Sequence, residues 1–299
     1  METILRGSAA EIVIGPGRPT VLIGNRIDAA QGPLAEAIRQ MDLSRIQQEA
    51  RAQADDGAEV IAIQVCAEGI DQERVLPAVV EAVSQAVPLP LCICTENPKA
   101  LAAALQVCPG KPLVGSISGK AVALHELVPL AAARGAAVIA TARDNAGIPR
   151  GFVERIELMR NILRVVILGG VARQDIILQP ATLPVLEDRC AAATCLQAIA
   201  HLARIEQLNM ALEPASAACG LANADAVGQV LLALGVRAGV TCALVDPAKC
   251  CGTSRVIDLL LGRCGAFGRY KALPTRAESP NPTEASDAAA RGQRTDHAL

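Results

Sequence analysis

This 299-residue sequence has no tryptophan, one tyrosine, two phenylalanines and only three histidines. So few rings exclude a stacking platform for nucleic-acid bases. His125 and His201 fall in expected helices and His297 close to the C-terminus, which argues against a histidine general base or histidine-ligated metal. The formal charge is only −2, so there is no sequence-independent grip on nucleic acid. No apolar run approaches the ~18–20 residues of a membrane span. The opening METILRGSAAE lacks the apolar stretch and small-residue cleavage site of a signal peptide. These absences lead us to expect a cytoplasmic protein without a membrane or nucleic-acid partner.

Cysteine is not scarce. There are eleven, an odd number, and with no secretion signal they read as reduced thiols. Cys92, Cys195 and Cys242 sit inside apolar segments, where cysteine acts as a small hydrophobe.

The chain is 52% apolar with a mean hydropathy of +0.34, enough for one large core. Its apolar residues form eight short runs: 21–27, 60–65, 90–94, 112–117, 137–142, 175–180, 208–213 and 241–246. Near-continuous apolar runs are expected of parallel strands buried on both faces. Helical patterning separates them. Val75, Val79, Ala82, Val83 and Ala86 form one stripe, and Leu124, Leu127, Val128 and Ala131 another. Asn97-Pro98 opens the third helix, and Gly57, Gly110 and Gly135 fall where helices should stop. Eight such units predict a (β/α)₈ barrel over 20–273. Residues 1–19 form an N-terminal extension, either a small hairpin or a cover over the barrel bottom. Residues 167–174 (ILGGVARQ) read as a loop. From Pro274 the composition turns to Pro, Ser, Glu, Asp, Arg and Gly, predicting a disordered tail over 274–299.

Barrels of this kind work at the C-terminal ends of their strands. Those ends offer Asn25, Arg26 and Asp28; Gln64, Cys66 and Glu68; Cys94, Glu96 and Asn97; Gly115, Ser116 and Ser118; Arg143, Asp144 and Asn145; Gln179 and Thr182; Glu213 and Ser216; and Asp246, Lys249, Cys250 and Cys251. Several admit two readings. Asn97 either orients a ligand or caps its helix ahead of Pro98. Ser116–Ser118 either binds an anion or forms a turn. Cys66, Cys94, Cys250 and Cys251 are either soft-metal ligands or apolar fillers. They lack C-x₂-C spacing, so no metal site is assigned.

Six strings occur in order: GNRID (24–28), ADDGAEVIAIQV (54–65), LPLCICTENPKALAAAL (89–105), GKPLVGSISG (110–119), GAAVIATARDNAGIP (135–149) and DIILQPATLP (175–184). Together they resemble the pterin-binding barrels that include dihydropteroate synthase, and within them the methyltetrahydrofolate:corrinoid methyltransferases. The resemblance spans roughly residues 20–270. It implies a homodimeric barrel that binds methyltetrahydrofolate or a related pterin as substrate. It also implies transfer of the methyl group to a corrinoid carried by a partner protein. From the strand ends and this resemblance together, the candidates to bind substrate are Gln64, Glu96, Asn97, Gly115, Ser116 and Gln179, and those to assist the leaving group are Ser216, Asp144 and Asn25, with Glu96 as a further acid. No phosphate clamp of the Lys-x-x-Arg kind occurs late in the chain, which disfavours a synthase.

The departures from the family pattern are specific. Its strand-two Asp and Asn are Ala62 and Gln64, its strand-three Asp is Cys94, its strand-four Asn is Gly115 and its strand-six Asp is Gln179. Strand one ends in Asp28 in place of Asn, and Ser216 aligns with the strand-seven Asn. Each lost charge-assisted bond to a pterin edge costs about 1.5–3 kcal/mol. Glu68, Glu96, Asp144 and Glu213 are the nearby acids able to stand in. Two functions follow: a methyltransferase-like enzyme, or a non-catalytic paralogue serving as a binding or scaffold subunit beside an active one.

Overall fold

The computed structural model describes residues 1–30, 32 and 34–273. The tail expected over 274–299, with His297, lies outside the described residues. An antiparallel hairpin, β1 (Thr3–Arg6) and β2 (Glu11–Ile14), precedes eight parallel strands. These are β3 (Val21–Asp28), β4 (Val60–Gln64), β5 (Leu91–Cys94), β6 (Leu113–Ile117), β7 (Ala137–Thr141), β8 (Ile176–Gln179), β9 (Asn209–Leu212) and β10 (Cys242–Val245). They pair in chain order, and β10 returns to β3, closing a (β/α)₈ barrel.

The outer helices are α1 (Ala35–Arg39), α2 (Leu43–Asp55), α3 (Gln72–Ala86), α4 (Pro98–Val107), α5 (Val128–Arg134), α6 (Phe152–Leu168), α7 (Ala191–Glu206), α8 (Pro214–Ala218), α9 (Ala224–Ala238), α10 (Pro247–Leu260) and α11 (Ala266–Lys271). A π-helical turn at Ala123–Leu127 leads into α5. Val75, Val79 and Val83 bury the expected stripe of α3 in the core shared with the outward faces of the strands. Asp71 caps that helix by accepting from the amides of Glu73 and Arg74. The stretch expected as a loop over 167–174 is partly helical: α6 runs through Leu168. Gly170, at φ +95°, ends it, and a 3₁₀ turn at Arg173–Asp175 leads into β8.

The barrel interior is a second core. Val21, Ile23, Val60, Leu113, Ala137, Ile139 and Ile177 fill it, and Leu5 and Ile14 of the hairpin pack in the same cluster, fully buried. The hairpin therefore covers the bottom of the barrel. Burying each of those two side chains is worth ~1.5–3 kcal/mol. Hydrogen bonds fix the cover. Thr3 Oγ1 donates to the Gln174 carbonyl at 2.6 Å, and Asn209 Nδ2 donates to Thr3 Oγ1 at 2.9 Å and the Ile14 carbonyl at 3.0 Å. Access to the interior is thus left to the opposite end, where the strands finish.

Candidate active site

A cavity of about 580 Å³ opens at the C-terminal ends of the strands. That is within the range of small-molecule sites, ~300–1,000 Å³. Its wall divides into two arcs. Along β4, β5, β6, β7 and β8 the wall is neutral: Ala62, Gln64, Cys94, Ser116, Thr141 and Gln179 line it. Along the contiguous strands β9, β10 and β3 it is charged: Glu213, Asp246, Arg26 and Asp28. Arg143, just after β7, is the one charged lining residue on the neutral side.

The charged arc is built on an irregular β3. Its register against β4 shifts between Gly24 and Ile27, and the Arg26 amide donates to Gln53 Oε1 at 3.1 Å instead of to the ladder. A Cβ at Gly24 would displace that carboxamide oxygen and crowd the Ala58 side chain, so glycine leaves room for the approach. The shift places Asn25 and Arg26 on the cavity. Arg26 then binds three acids: Glu49 at 2.5 Å, Asp56 at 2.9 Å and Asp246 at 2.9 Å. Burial works against its charge, but those three hydrogen bonds outweigh it and hold the guanidinium firmly protonated. Asp246 also caps α10 through the Ala248 amide at 3.2 Å.

Asp28 Oδ1 accepts from the Ala30 amide at 2.8 Å and from Gln64 Nε2 at 3.3 Å. Glu213 ends β9, and its Oε2 accepts from the Ser216 hydroxyl at 3.1 Å. Burial pushes the Glu213 carboxyl above the ordinary range, and Asp28 adds to this, while the Ser216 hydrogen bond and Arg143 pull it down.

The neutral arc presents amides and a thiol. Gln179 Oε1 accepts from the Thr141 hydroxyl at 2.8 Å, so the NH₂ end of this amide makes no hydrogen bond to the described residues. Gln64 spends its NH₂ on Asp28, which leaves its carbonyl oxygen to the cavity. Cys94 lies 3.8 Å, sulfur to sulfur, from the fully buried Cys92. Hydrogen bonding to Cys94, together with burial, raises the Cys92 thiol well above its ordinary value.

Of the residues expected at the site, Asn25, Gln64, Ser116, Gln179 and Ser216 line the cavity. Four do not. Asn97 caps α4, accepting from the amides of Lys99 and Ala100 at 2.9 and 3.2 Å. Glu96 turns outward onto Lys120 Nζ at 2.8 Å. Asp144 caps its own turn through the Ala146 amide at 2.8 Å. Gly115 lies against the sulfurs of Cys92 and Cys94, which a Cβ there would meet at 3.1 and 3.3 Å. The four cysteines considered as a group do not converge. Cys66 is exposed, Cys94 faces the barrel interior, and Cys250 and Cys251 are buried in α10, with Cys251 against Gly57. Among the described residues no cluster of three or more metal-ligating side chains forms. Asp28 carried a sequence signal, as a departure from the family's Asn, and Glu213 as an acid at a strand end. Arg143 was visible only as a rim residue.

Barrel, plug and polar mouth define the class: a (β/α)₈ protein with a single-ended small-molecule site. The chain belongs to the pterin binding enzyme family, whose model matches residues 31–257. It is 26% identical over 258 residues to the methylcorrinoid:tetrahydrofolate methyltransferase of Eubacterium limosum, covering 84% of this chain and 94% of that protein. Among solved structures, a Yersinia pestis DHPS with a pterine-sulfa conjugate superposes at a TM-score of 0.64, with 15% identity over 87% of this chain and 99% of the other. Thermus thermophilus dihydropteroate synthase gives 0.63, with 18% identity over 86% and 99%. Those two likenesses establish the fold.

Proposed function

We propose that this protein is a methyltransferase moving a methyl group between a folate-type pterin and the cobalt corrinoid of a partner protein. The observation that carries this reading is the near full-length similarity to the methylcorrinoid:tetrahydrofolate methyltransferase. The cavity supports it. Gln64 offers a carbonyl oxygen and Gln179 an NH₂ group, a pairing suited to a neutral lactam edge such as that of a pterin. Asn25, Ser216 and the charged arc surround the same space.

The rest of the expected setting belongs to this proposal. A homodimer is supported by the apolar outer face of α9 and α10, where Val230, Leu234, Val256 and Leu260 are all exposed. A reducing cytoplasmic location is supported by eleven free cysteines. Among the described residues no helix is long and apolar enough to cross a membrane. We retain the boundaries 1–19, 20–273 and 274–299 as the domain plan.

The alternative, a non-catalytic binding subunit, is favoured by one observation: the neutral arc lacks every carboxylate that the family pattern places there. Calorimetric titration with methyltetrahydrofolate, followed by methyl transfer to free cob(I)alamin, separates the two. The enzyme reading expects micromolar binding and transfer. Absence of transfer from a well-folded native protein would support the subunit reading.

A further inference from the structure

Resting on that reading, we infer that Glu213 is the proton carrier of this site: it holds the proton that the departing ring nitrogen takes up as its methyl group leaves. An amine nitrogen that loses a methyl cation keeps the electron pair of the broken C–N bond. As a neutral amine it is a far better leaving group than as an amide anion, so a proton has to reach it. In that direction, Glu213 gives its proton to the nitrogen, the electron pair of a Co(I) corrinoid forms the new bond to the methyl carbon, and the C–N pair stays on the nitrogen. Glu213 is left as a carboxylate and regains a proton from water. In the opposite direction the same carboxylate accepts the N–H proton.

The geometry selects Glu213 over the other acids. It ends β9 on the cavity wall, and only Oε2 has a partner among the described residues, the Ser216 hydroxyl at 3.1 Å. Its Oε1 is thus uncommitted. Asp246 is tied to Arg26. Asp28 also keeps one oxygen free, but it accepts two hydrogen bonds, from the Ala30 amide and Gln64 Nε2, where Glu213 accepts one. Glu96 and Asp144 lie outside the cavity. The charged and titratable groups sharing the cavity with Glu213 are Asp28 and Arg26 from β3, Cys94 from β5, Arg143 after β7 and Asp246 after β10. Burial, and to a lesser degree Asp28, favour the protonated form that a proton donor needs, against the Ser216 hydrogen bond and Arg143. No residue of the neutral arc has a carboxyl able to do this.

The test uses the full chain, methyltetrahydrofolate and free cob(I)alamin, followed in single turnover across pH. The native rate should fall as pH rises through the titration of Glu213. E213Q should slow transfer by about 100-fold or more and flatten that limb, while changing the folate Kd by less than about threefold. S216A removes a hydrogen bond that favours the carboxylate, so whatever its rate, its limb should move to higher pH. An E213Q protein that binds folate, unfolds cooperatively and transfers at the native rate with the native pH limb would overturn the inference. So would an S216A profile that does not move. A native protein that transfers no methyl group would sink the function itself, and the inference with it.

Discussion

The two arcs of the mouth are built from the same kind of strand end but carry opposite chemistry. From β4 to β8 the lining is amide, hydroxyl, thiol and methyl; from β9 through β10 to β3 it is carboxylate and guanidinium. In the family pattern the acids belong to strands two, three and six, which here are β4, β5 and β8. The present chain lacks those acids, and its charge lies on the other side of the same cavity. A folate ring bound here would meet neutral amides where its relatives meet acids, and would turn its proton-transfer chemistry toward β9 and β3. The fold thus matches the family while the lining of the site departs from its pattern. Packing of the interior constrains the strands, whereas a lining residue changes without disturbing the barrel.

The largest expected effect comes from undoing the difference. Placing acids back on the neutral arc, A62D with Q179D, should strengthen methyltetrahydrofolate binding by roughly 10- to 100-fold. Each charge-assisted bond regained is worth about 1.5–3 kcal/mol, less the cost of burying a new charge. Calorimetry measures it, with a melting curve to check folding. Unchanged affinity in a folded double variant would mean that the ring does not contact this arc.

Next in size is the anchor of the charged arc. R26M strands Glu49, Asp56 and Asp246 without their shared cation. Breaking a fully buried pair costs ~3–5 kcal/mol, and with Arg26 still 21% exposed about 2 kcal/mol is expected from urea unfolding. The ladder shift in β3 should persist, because it is held by the Arg26 backbone amide on Gln53. Asn25 should therefore still reach the cavity.

How far the two arcs were legible in the sequence follows from what each depends on. All eight strands lie within one residue of their apolar runs at each end, because burial on both faces leaves an unbroken signature. Leu5 and Ile14 were visible as apolar residues, but their role as the barrel plug depends on Asn209 and Gln174, far along the chain. At the rim the sequence tells which strand ends where, not which way the chain turns next. Glu96 swings out because Asn97 must start α4 immediately. Asp144 closes a turn with Ala146, and its neighbour Arg143 takes the place on the cavity wall. The β3 irregularity that brings Asn25 and Arg26 inward depends on a glutamine 27 residues away.

Chemical reactivity should sharpen the comparison by a smaller margin. Cys94 lines the cavity, whereas Cys92 beside it is buried and its thiol held well above the ordinary value. Iodoacetamide at mildly alkaline pH should label Cys94 and spare Cys92 and Cys242, the latter pushed by burial to about 12. Saturating folate should protect Cys94 and leave exposed Cys66 unchanged, as read by mass spectrometry. Equal labelling of Cys94 with and without ligand would place the ring away from the neutral arc.

The smallest expected effect concerns stability, and its sign is opposite to that of E213Q on catalysis. The folded-state carboxyl of Glu213 titrates above its unfolded value, so the folded protein is not penalised below the ordinary carboxylate range. It loses stability as pH rises through the folded titration, where it must hold a half-buried charge near Asp28. E213Q cannot ionise. It should melt higher than the native protein at neutral pH, with the gap closing as pH is lowered through the ordinary carboxylate range. A gain in stability together with a loss of methyl transfer is the pattern expected of a group kept for chemistry. A stability difference that does not vary with pH would mean that Glu213 titrates alike in the folded and unfolded states, and the charged arc would then hold its ligand without supplying a proton.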